Sequence, residues 1–534
     1  SLLLIDNFTY TIFRFGIVNT VGLTRGLYAI LFLGLVIFCF TQVKKILISI
    51  EKKLISYDSR AKVFLIGFVI IFLAPAVIVP ISQKLSSNTS ENQLIINNDN
   101  IERPHIILIT PDGVNAKNMS VYGYDRDTTP FIKNLSQNAL VAENAFTNSA
   151  NSAGSITSIL TGKYPSDVRL IYPPDILRGK DSYEHLPGIL KSFGYYTAQF
   201  GQNHYVDAYQ INMLNGFDEA NGRIKQNNIL LPQITSHLPT NYSFFIYEIS
   251  NRIMDRMFHV FFIKKMENTY AQVTSAPETI EDIEKIHKTI ELIDNVNQPL
   301  FVHIHWMGTH GAKFFPSNQV FSQGKNPNNQ IDWDGDFYDD SILDFDYAIS
   351  SLFDALQQRN LEEKVILIFG SDHGQLYRTD LRIPLIFKFP HGDYKGIIME
   401  NVQNIDIAPT ILDYLNINQP SWMVGNTLIA ENYKAPPIIS LSVVNKLKNG
   451  SIDYASIEPP FYQFGYIHTI LCDNYYTIDL SKYNWGKKKI DRVGDNCSTS
   501  KMNDLDVISL MINNLDTYGF DTTVLHESIF SGEQ

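Results

Sequence analysis

The stretch "KVILIFGSDHG", Lys364–Gly374, decides the fold. Val365–Phe369 is an unbroken apolar run that stops at a Gly-Ser-Asp-His turn. Such a run reads as a strand buried on both faces, as in a parallel sheet. The pattern recurs along the chain. "HIILITPDG" runs to Asp112, "YYTAQFGQNH" to His204, and "PLFVHIHWMGTH" to His305 and His310, while "IPLIFKF" follows the first stretch. Helical patterns lie between them, the clearest being Ser341–Arg359 with Ile342, Phe345, Ile349, Leu352, Phe353 and Leu356 on one face. This alternation predicts an α/β fold: a mostly parallel central sheet with helices on both faces. Sites in such sheets lie beyond the carboxyl ends of the strands. One strand ending in Asp means little. Four ending in candidate ligands is a stronger signal.

The 534 residues exceed one compact core, so more than one unit is expected. Hydrophobic content is 45% and charged content 18%, a balance that suits a membrane-attached protein with a large soluble part. The net charge of −12 argues against nucleic acid as a partner. Residues 26–43 and 63–81 are uncharged and long enough to cross ~30 Å of hydrocarbon as helices. The loop between them carries Lys44, Lys45, Lys52, Lys53, Arg60 and Lys62, which puts it in the cytoplasm. The chain beyond it is then extracytoplasmic, attached to the inner (cytoplasmic) membrane. Residues 1–82 thus read as a membrane region, 83–103 as an Asn/Ser-rich linker, 104–430 as the catalytic domain and 431–534 as a small C-terminal α+β subdomain. In that tail, "YIHTILCDNYYTIDLSKYN" alternates as antiparallel strands do. Of three cysteines, Cys39 lies in an apolar run, so only Cys472 and Cys497 are placed to pair. Tyr242–Met266, rich in Phe and Ile with four cationic residues, fits an interfacial helix or an amphipathic helix packed on the domain.

"NAFTNSANSAGSITSILTGKYP", Asn144–Pro165, holds four serines and three threonines. Ile156, Ile159 and Leu160 with Gly162 after them predict a short helix with a glycine stop. Its amino end lies near Ser152–Ser155, where free N–H groups and the positive dipole end favour a nucleophilic hydroxyl. Either serine could serve, and either could simply be an N-cap.

The chain resembles the sulfatase branch of the alkaline phosphatase superfamily. The resemblance runs from about His105 to Leu428. It is carried by "ILITPDG", "YGYDRDTTPFI", "SAGSITSILTGKYP", "FGQNH", "HWMGTH", "LIFGSDHG", "LRIPLIF" and "NIDIAPTILDYLNI". It implies Ser152, nine residues before Thr161, as the nucleophile. It implies Asp112, Asp372 and His373, with the Ser152 oxygen, as ligands of a divalent metal, Zn²⁺ or Mn²⁺ in preference to Ca²⁺ or Mg²⁺. His305 and His310 would bind the transferred group or protonate the leaving oxygen. His204 and Gln202 would bind substrate.

Two positions depart from the sulfatases that convert this residue to formylglycine. Those want Pro or Ala two residues later and Arg four later, where this chain has Gly154 and Ile156. Gln202 stands where a sulfate-binding Lys is usual, and Pro111 replaces a second Asp. With the apolar runs, these features are similar to membrane-anchored phosphoethanolamine and phosphoglycerol transferases, which however use Thr at the nucleophile. The implied activity is transfer of a phospho-alcohol group from a phospholipid to an envelope acceptor through phospho-Ser152. The alternatives are a sulfuric or phosphoric ester hydrolase, and a non-catalytic sulfatase-like membrane regulator.

Overall fold

The computed structural model describes residues 103–173, 175–203, 205–224, 280–431, 433–443, 459–494 and 502–530, with Cys497 and eight positions between 34 and 45. The chain divides into two compact units, Ser1–Ile101 and Glu102–Gln534. In the first, the eight described positions are helical. Among the described residues no helix is long and apolar enough to cross a membrane. The expected membrane helices fall largely outside the described residues, as do the linker, Tyr242–Met266 and His204.

The second unit is built on a large sheet. Its strands are β1 (His105–Pro111), β2 (Leu140–Phe146), β3 (Tyr196–Phe200), β4 (Glu219–Ala220), β5 (Arg223–Ile224), β6 (Leu300–Trp306), β7 (Val365–Gly370), β8 (Leu385–Lys388) and β9 (Gly396–Gln403). Their order across the sheet is β5-β4-β3-β6-β1-β7-β8-β2-β9. All neighbours are parallel except at β5 and β8. The "IPLIFKF" run therefore forms a strand as expected but runs against its neighbours.

The helices that matter for the site are α1 (Ser152–Thr161), α2 (Asp282–Asn295), α3 (Gly335–Gln358) and α4 (Ile407–Tyr414). β1 shows why its residues form an all-apolar strand. Ile106 and Leu108 pack on one face with Ile156, Ile159 and Leu160 of α1 and Ile407 and Ile411 of α4. Ile107 and Ile109 pack on the other with Ile286 of α2 and Ile342, Phe345, Ile349 and Leu352 of α3. Each fully buried side chain of this kind contributes ~1.5–3 kcal/mol. α3 starts six residues before the expected Ser341, because Asp334 caps it by accepting the Asp336 N–H at 3.0 Å.

Beyond residue 437, strands β10 (Ile438–Val443), β11 (Phe464–Leu471), β12 (Asn474–Asp479) and β13 (Asn484–Lys489) form an antiparallel sheet. Its core is closed by α5 (Asp504–Thr517), through Val507, Ile508, Met511, Ile512 and Leu515. Cys472 and Cys497 form a disulfide with Cα atoms 5.6 Å apart. The edge of β10 braces the approach to α1: Leu441 N–H donates to Asn148 O at 3.0 Å, and Ala150 N–H donates to Leu441 O at 3.0 Å.

Candidate active site

The register of β1 and β6 sets Thr110 opposite His305 and Pro111 opposite Trp306. Asp112 therefore emerges just past the carboxyl edge, beside His305. β7 lies on the other side of β1, with Phe369 opposite Ile109, and carries Asp372 and His373 out at the same edge. Ligand atoms of Asp112, Asp372 and His373 lie within 4.8 Å of one another, and all three residues are buried. Ser152 is the first residue of α1. Its hydroxyl donates to Asp112 Oδ2 at 3.1 Å and stands 3.4 Å from His373 Nε2.

Neither serine is an N-cap. Asn151 holds that position, without a side-chain cap bond. Ser155 is fully buried and ties down the Asp372 loop, its Oγ donating to Asp372 O at 2.5 Å and meeting Thr147 Oγ1 and Asn404 Nδ2 at 3.2 Å. Ser152 instead opens on a cleft of about 270 Å³ lined by Asp112, Asn151, His305, His310, Gln202 and Tyr377, among others. α1 ends at Gly162, whose φ of 66° is left-handed and whose missing Cβ would meet Met423.

Asp372 Oδ1 accepts the N–H of Gly113 at 3.0 Å and of His373 at 2.8 Å, while its buried Oδ2 has no hydrogen-bond partner. A buried carboxylate oxygen without a donor is costly unless a cation meets it. His373 Nδ1 lies 3.0 Å from Gly374 O, so Nδ1 holds the proton and Nε2 keeps its lone pair toward the carboxylates. Burial and the neighbouring Asp112 push the Asp372 carboxyl up. Burial also acts to raise Asp112, but hydrogen bonds with His305 and His310 hold it well below the usual range. These residues fit a divalent metal.

His310 Nδ1 lies 2.8 Å from Asp112 Oδ1, and the half-buried ring faces the cleft. His305 is fully buried, with Nε2 3.3 Å from Asp112 Oδ2. The loop from His305 to His310 is held by α2. Asp282 Oδ2 accepts the N–H groups of Met307 at 2.8 Å and Gly308 at 2.6 Å, and Lys285 Nζ donates to His305 O at 2.6 Å. The structure thus brings together Asp112, Ser152, Gln202, His305, His310, Asp372 and His373.

Sequence reasoning missed the tyrosines of the cleft wall. Tyr172 and Tyr205 meet hydroxyl to hydroxyl at 3.2 Å, and the Tyr377 ring lies 5.2 Å from that of His373. The available signal was proximity, since Tyr205 follows His204 and Tyr377 lies four residues after His373. It also missed Gln199, Thr110 and His303 behind His305. The "HIH" alternation places His303 on the same strand face as His305, which was a readable sign. Among the described residues lining the cleft there is no Lys or Arg.

The fold, a mostly parallel sheet that brings an acid–acid–imidazole cluster to its carboxyl edge and a hydroxyl to a helix start, is alkaline-phosphatase-like. A protein of the alkaline phosphatase superfamily from Vibrio parahaemolyticus shares the fold, with a TM-score of 0.51 at 15% identity over 79% of this chain and 91% of that one. The Sulfatase family model matches residues 104–417, and the chain belongs to that family. An arylsulfatase of Hemicentrotus pulcherrimus is 21% identical over 347 residues, 58% of each chain. An N-acetylglucosamine-6-O-sulfatase of Bacteroides thetaiotaomicron is 22% identical over 413 residues, 63% of this chain and 72% of that one. The chain thus spans less than two thirds of the Hemicentrotus relative's length.

Proposed function

We propose that the domain cleaves a phosphoric ester through Ser152, with a phosphoserine between two displacement steps. The observation that carries this reading is the Ser152 hydroxyl, open to the cleft and within 3.1 Å of Asp112 and 3.4 Å of His373. Asp112, Asp372 and His373 would hold the divalent ion, with Zn²⁺ or Mn²⁺ best matching two carboxylates and an imidazole. When bound, the ion supplies Lewis acidity to the serine oxygen and to the ester. Ser152 gives up its hydroxyl proton to solvent and its Oγ attacks phosphorus, the bond to the leaving alcohol breaks, and His305 or His310 supplies the proton to the leaving oxygen. The free N–H groups at the start of α1 carry the charge of the serine-bound phosphate. Water or a second alcohol then displaces the serine.

Phosphate is favoured over sulfate by the packing of α1. A Cβ at position 154 would press into the Ser149 side chain and lie 3.1 Å from Ile171 Cα. Ile156 is fully buried in the core rather than turned to the cleft. Neither position suits the Pro or Ala and the Arg of formylglycine maturation, and a plain serine sulfate has no hemiacetal route for release. The finer reading has an alcohol acceptor: a phospho-alcohol group of the phosphoethanolamine or phosphoglycerol type moves from a phospholipid to an envelope acceptor outside the cytoplasm. Its support is the apolar runs at 26–43 and 63–81 with the basic loop between them. Hydrolysis of a sulfuric ester is the second reading, favoured by the names of the relatives. Zn²⁺-loaded protein offered bis(p-nitrophenyl) phosphate and p-nitrophenyl sulfate separates the two. Turnover of the phosphate ester that Ser152→Ala abolishes is expected; turnover of the sulfate ester alone would overturn the proposal.

A further inference from the structure

We infer that a one-directional chain of hydrogen bonds, running from the Ala208 backbone N–H through Gln199, His303 and Thr110, makes His305 Nδ1 an acceptor and directs the His305 Nε2–H at Asp112. The significance of that proton rests on the reading of His305 as a group that faces the reacting ester.

A backbone N–H can only donate, so the Ala208 N–H at 2.7 Å assigns Gln199 Oε1 as the acceptor. Gln199 Nε2 is then the donor to His303 Nδ1 at 3.1 Å. A neutral imidazole that accepts at Nδ1 carries its proton on Nε2. His303 Nε2 therefore donates to Thr110 Oγ1 at 3.0 Å. The Thr110 hydroxyl has one proton left to place. His305 Nδ1 lies at 3.0 Å and Ile304 O at 3.4 Å, so the imidazole is the better acceptor. His305 accepting at Nδ1 carries its proton on Nε2, which points at Asp112 Oδ2, 3.3 Å away. The far end agrees independently: Asp112 is an acceptor, and a bare lone pair on Nε2 would repel it.

Every member of the chain is fully buried, apart from the slightly exposed Asp112. Water therefore has little access to reset a link. Burial, with the Lys285 charge nearby, also drives His303 to the neutral form that the chain requires. Gln199, His303 and Thr110 are positioning residues. They touch no substrate, and they act through the tautomer of His305.

The test reverses the chain without changing its shape. Gln199→Glu, when its carboxylate is ionised, can accept from both Ala208 N–H and His303 Nδ1 but can donate to neither. His303 then turns its lone pair to Thr110, the Thr110 proton goes to His303, and His305 Nδ1 must take a proton of its own. Nitrogen NMR of the Zn²⁺-loaded full chain with isotope-labelled histidine reads this directly, with His305 assigned through His305→Asn. The parent and Thr110→Ser should show an unprotonated Nδ1 at His305, and Gln199→Glu a protonated one. With bis(p-nitrophenyl) phosphate, Gln199→Glu should lower kcat about 100-fold while KM and zinc content stay unchanged. Should Gln199→Glu not fold, Thr110→Val should lose the fixed tautomer and the rate where Thr110→Ser keeps both. A protonated Nδ1 in the parent, an unchanged tautomer in Gln199→Glu, or full kcat in Thr110→Val overturns the inference. A parent protein with the expected tautomer that cleaves no phosphate ester would instead overturn the phosphoester reading and leave the chain standing.

Discussion

Replacing Gly154 with Ala sets two effects against each other. Ala gains roughly 1 kcal/mol over Gly inside a helix. The added methyl group, however, would press into Ser149 and lie 3.1 Å from Ile171 Cα. Ser149 is not free to turn away, since its hydroxyl donates to Asn151 O at 3.1 Å and accepts the Asn151 N–H at 3.2 Å. Ile171 is tied to the same residue, the Gly154 N–H donating to Ile171 O at 3.2 Å. Overpacking of this kind costs ~1–3 kcal/mol, so the net effect is roughly 0–2 kcal/mol of destabilisation. The strain falls two residues after Ser152 and displaces the start of α1. A displacement of even ~1 Å at a reacting atom can cost about 100-fold in rate. Denaturant unfolding should show a lower midpoint at unchanged slope, and turnover of bis(p-nitrophenyl) phosphate should fall with zinc content intact. A Gly154→Ala variant that gains about 1 kcal/mol from helix propensity and keeps full turnover would refute the steric reasoning. It would show that position 154 has room for the side chain that formylglycine maturation wants.

Asp372→Asn keeps one acceptor oxygen for the two backbone N–H groups but removes the charge that a cation needs. Zinc content and turnover should both vanish, by elemental analysis and assay, and His373→Ala should do the same. Burial raises the Asp372 carboxyl, so its ionisation weakens the metal-free fold as pH rises through its folded pKa. Metal-free Asp372→Asn should accordingly melt no lower than the metal-free parent at pH 7. His185 accepts the Gly188 N–H at Nδ1, and burial lowers its pKa to about 4. The unfolded chain takes up that proton near pH 6.5 and the folded one does not, so stability is lost on acidification from ~6.5 toward 4, by up to ~1.4 kcal/mol per pH unit. His185→Gln should flatten that part of a Tm-against-pH curve. Ser155→Ala removes a hydroxyl whose partners keep other bonds, so it should cost ~1 kcal/mol and little rate, whereas Ser152→Thr should retain part of the turnover that Ser152→Ala loses.

The fold was legible because unbroken apolar runs admit few placements. β1, β6 and β7 were readable from Ile106–Ile109, Leu300–Val302 and Val365–Phe369, and their polar ends converge at one sheet edge. The direction of β8 was not legible, since a fully buried antiparallel strand has the same composition as a parallel one. The start of α3 was obscured by its acids. Asp339 and Asp340 look solvent-facing in sequence, yet both are buried, and Asp340 accepts the N–H groups of Val320, Phe321 and Ser322. Ser152 and Ser155 were indistinguishable by composition. What separates them is a long-range contact, since Ser155 meets the Asp372 carbonyl 217 residues away. The chain behind His305 was illegible for a similar reason: its direction depends on which Gln199 atom faces the Ala208 N–H.

The central claim is that Ser152 is itself the nucleophile. Peptide mass spectrometry of the full chain, quenched during turnover of bis(p-nitrophenyl) phosphate, tests it most directly. The account predicts a phosphoryl ester of the substrate on Ser152, absent from Ser152→Ala, with no formylglycine in the resting protein. A formylglycine at position 152, or the adduct on Ser155, would contradict it.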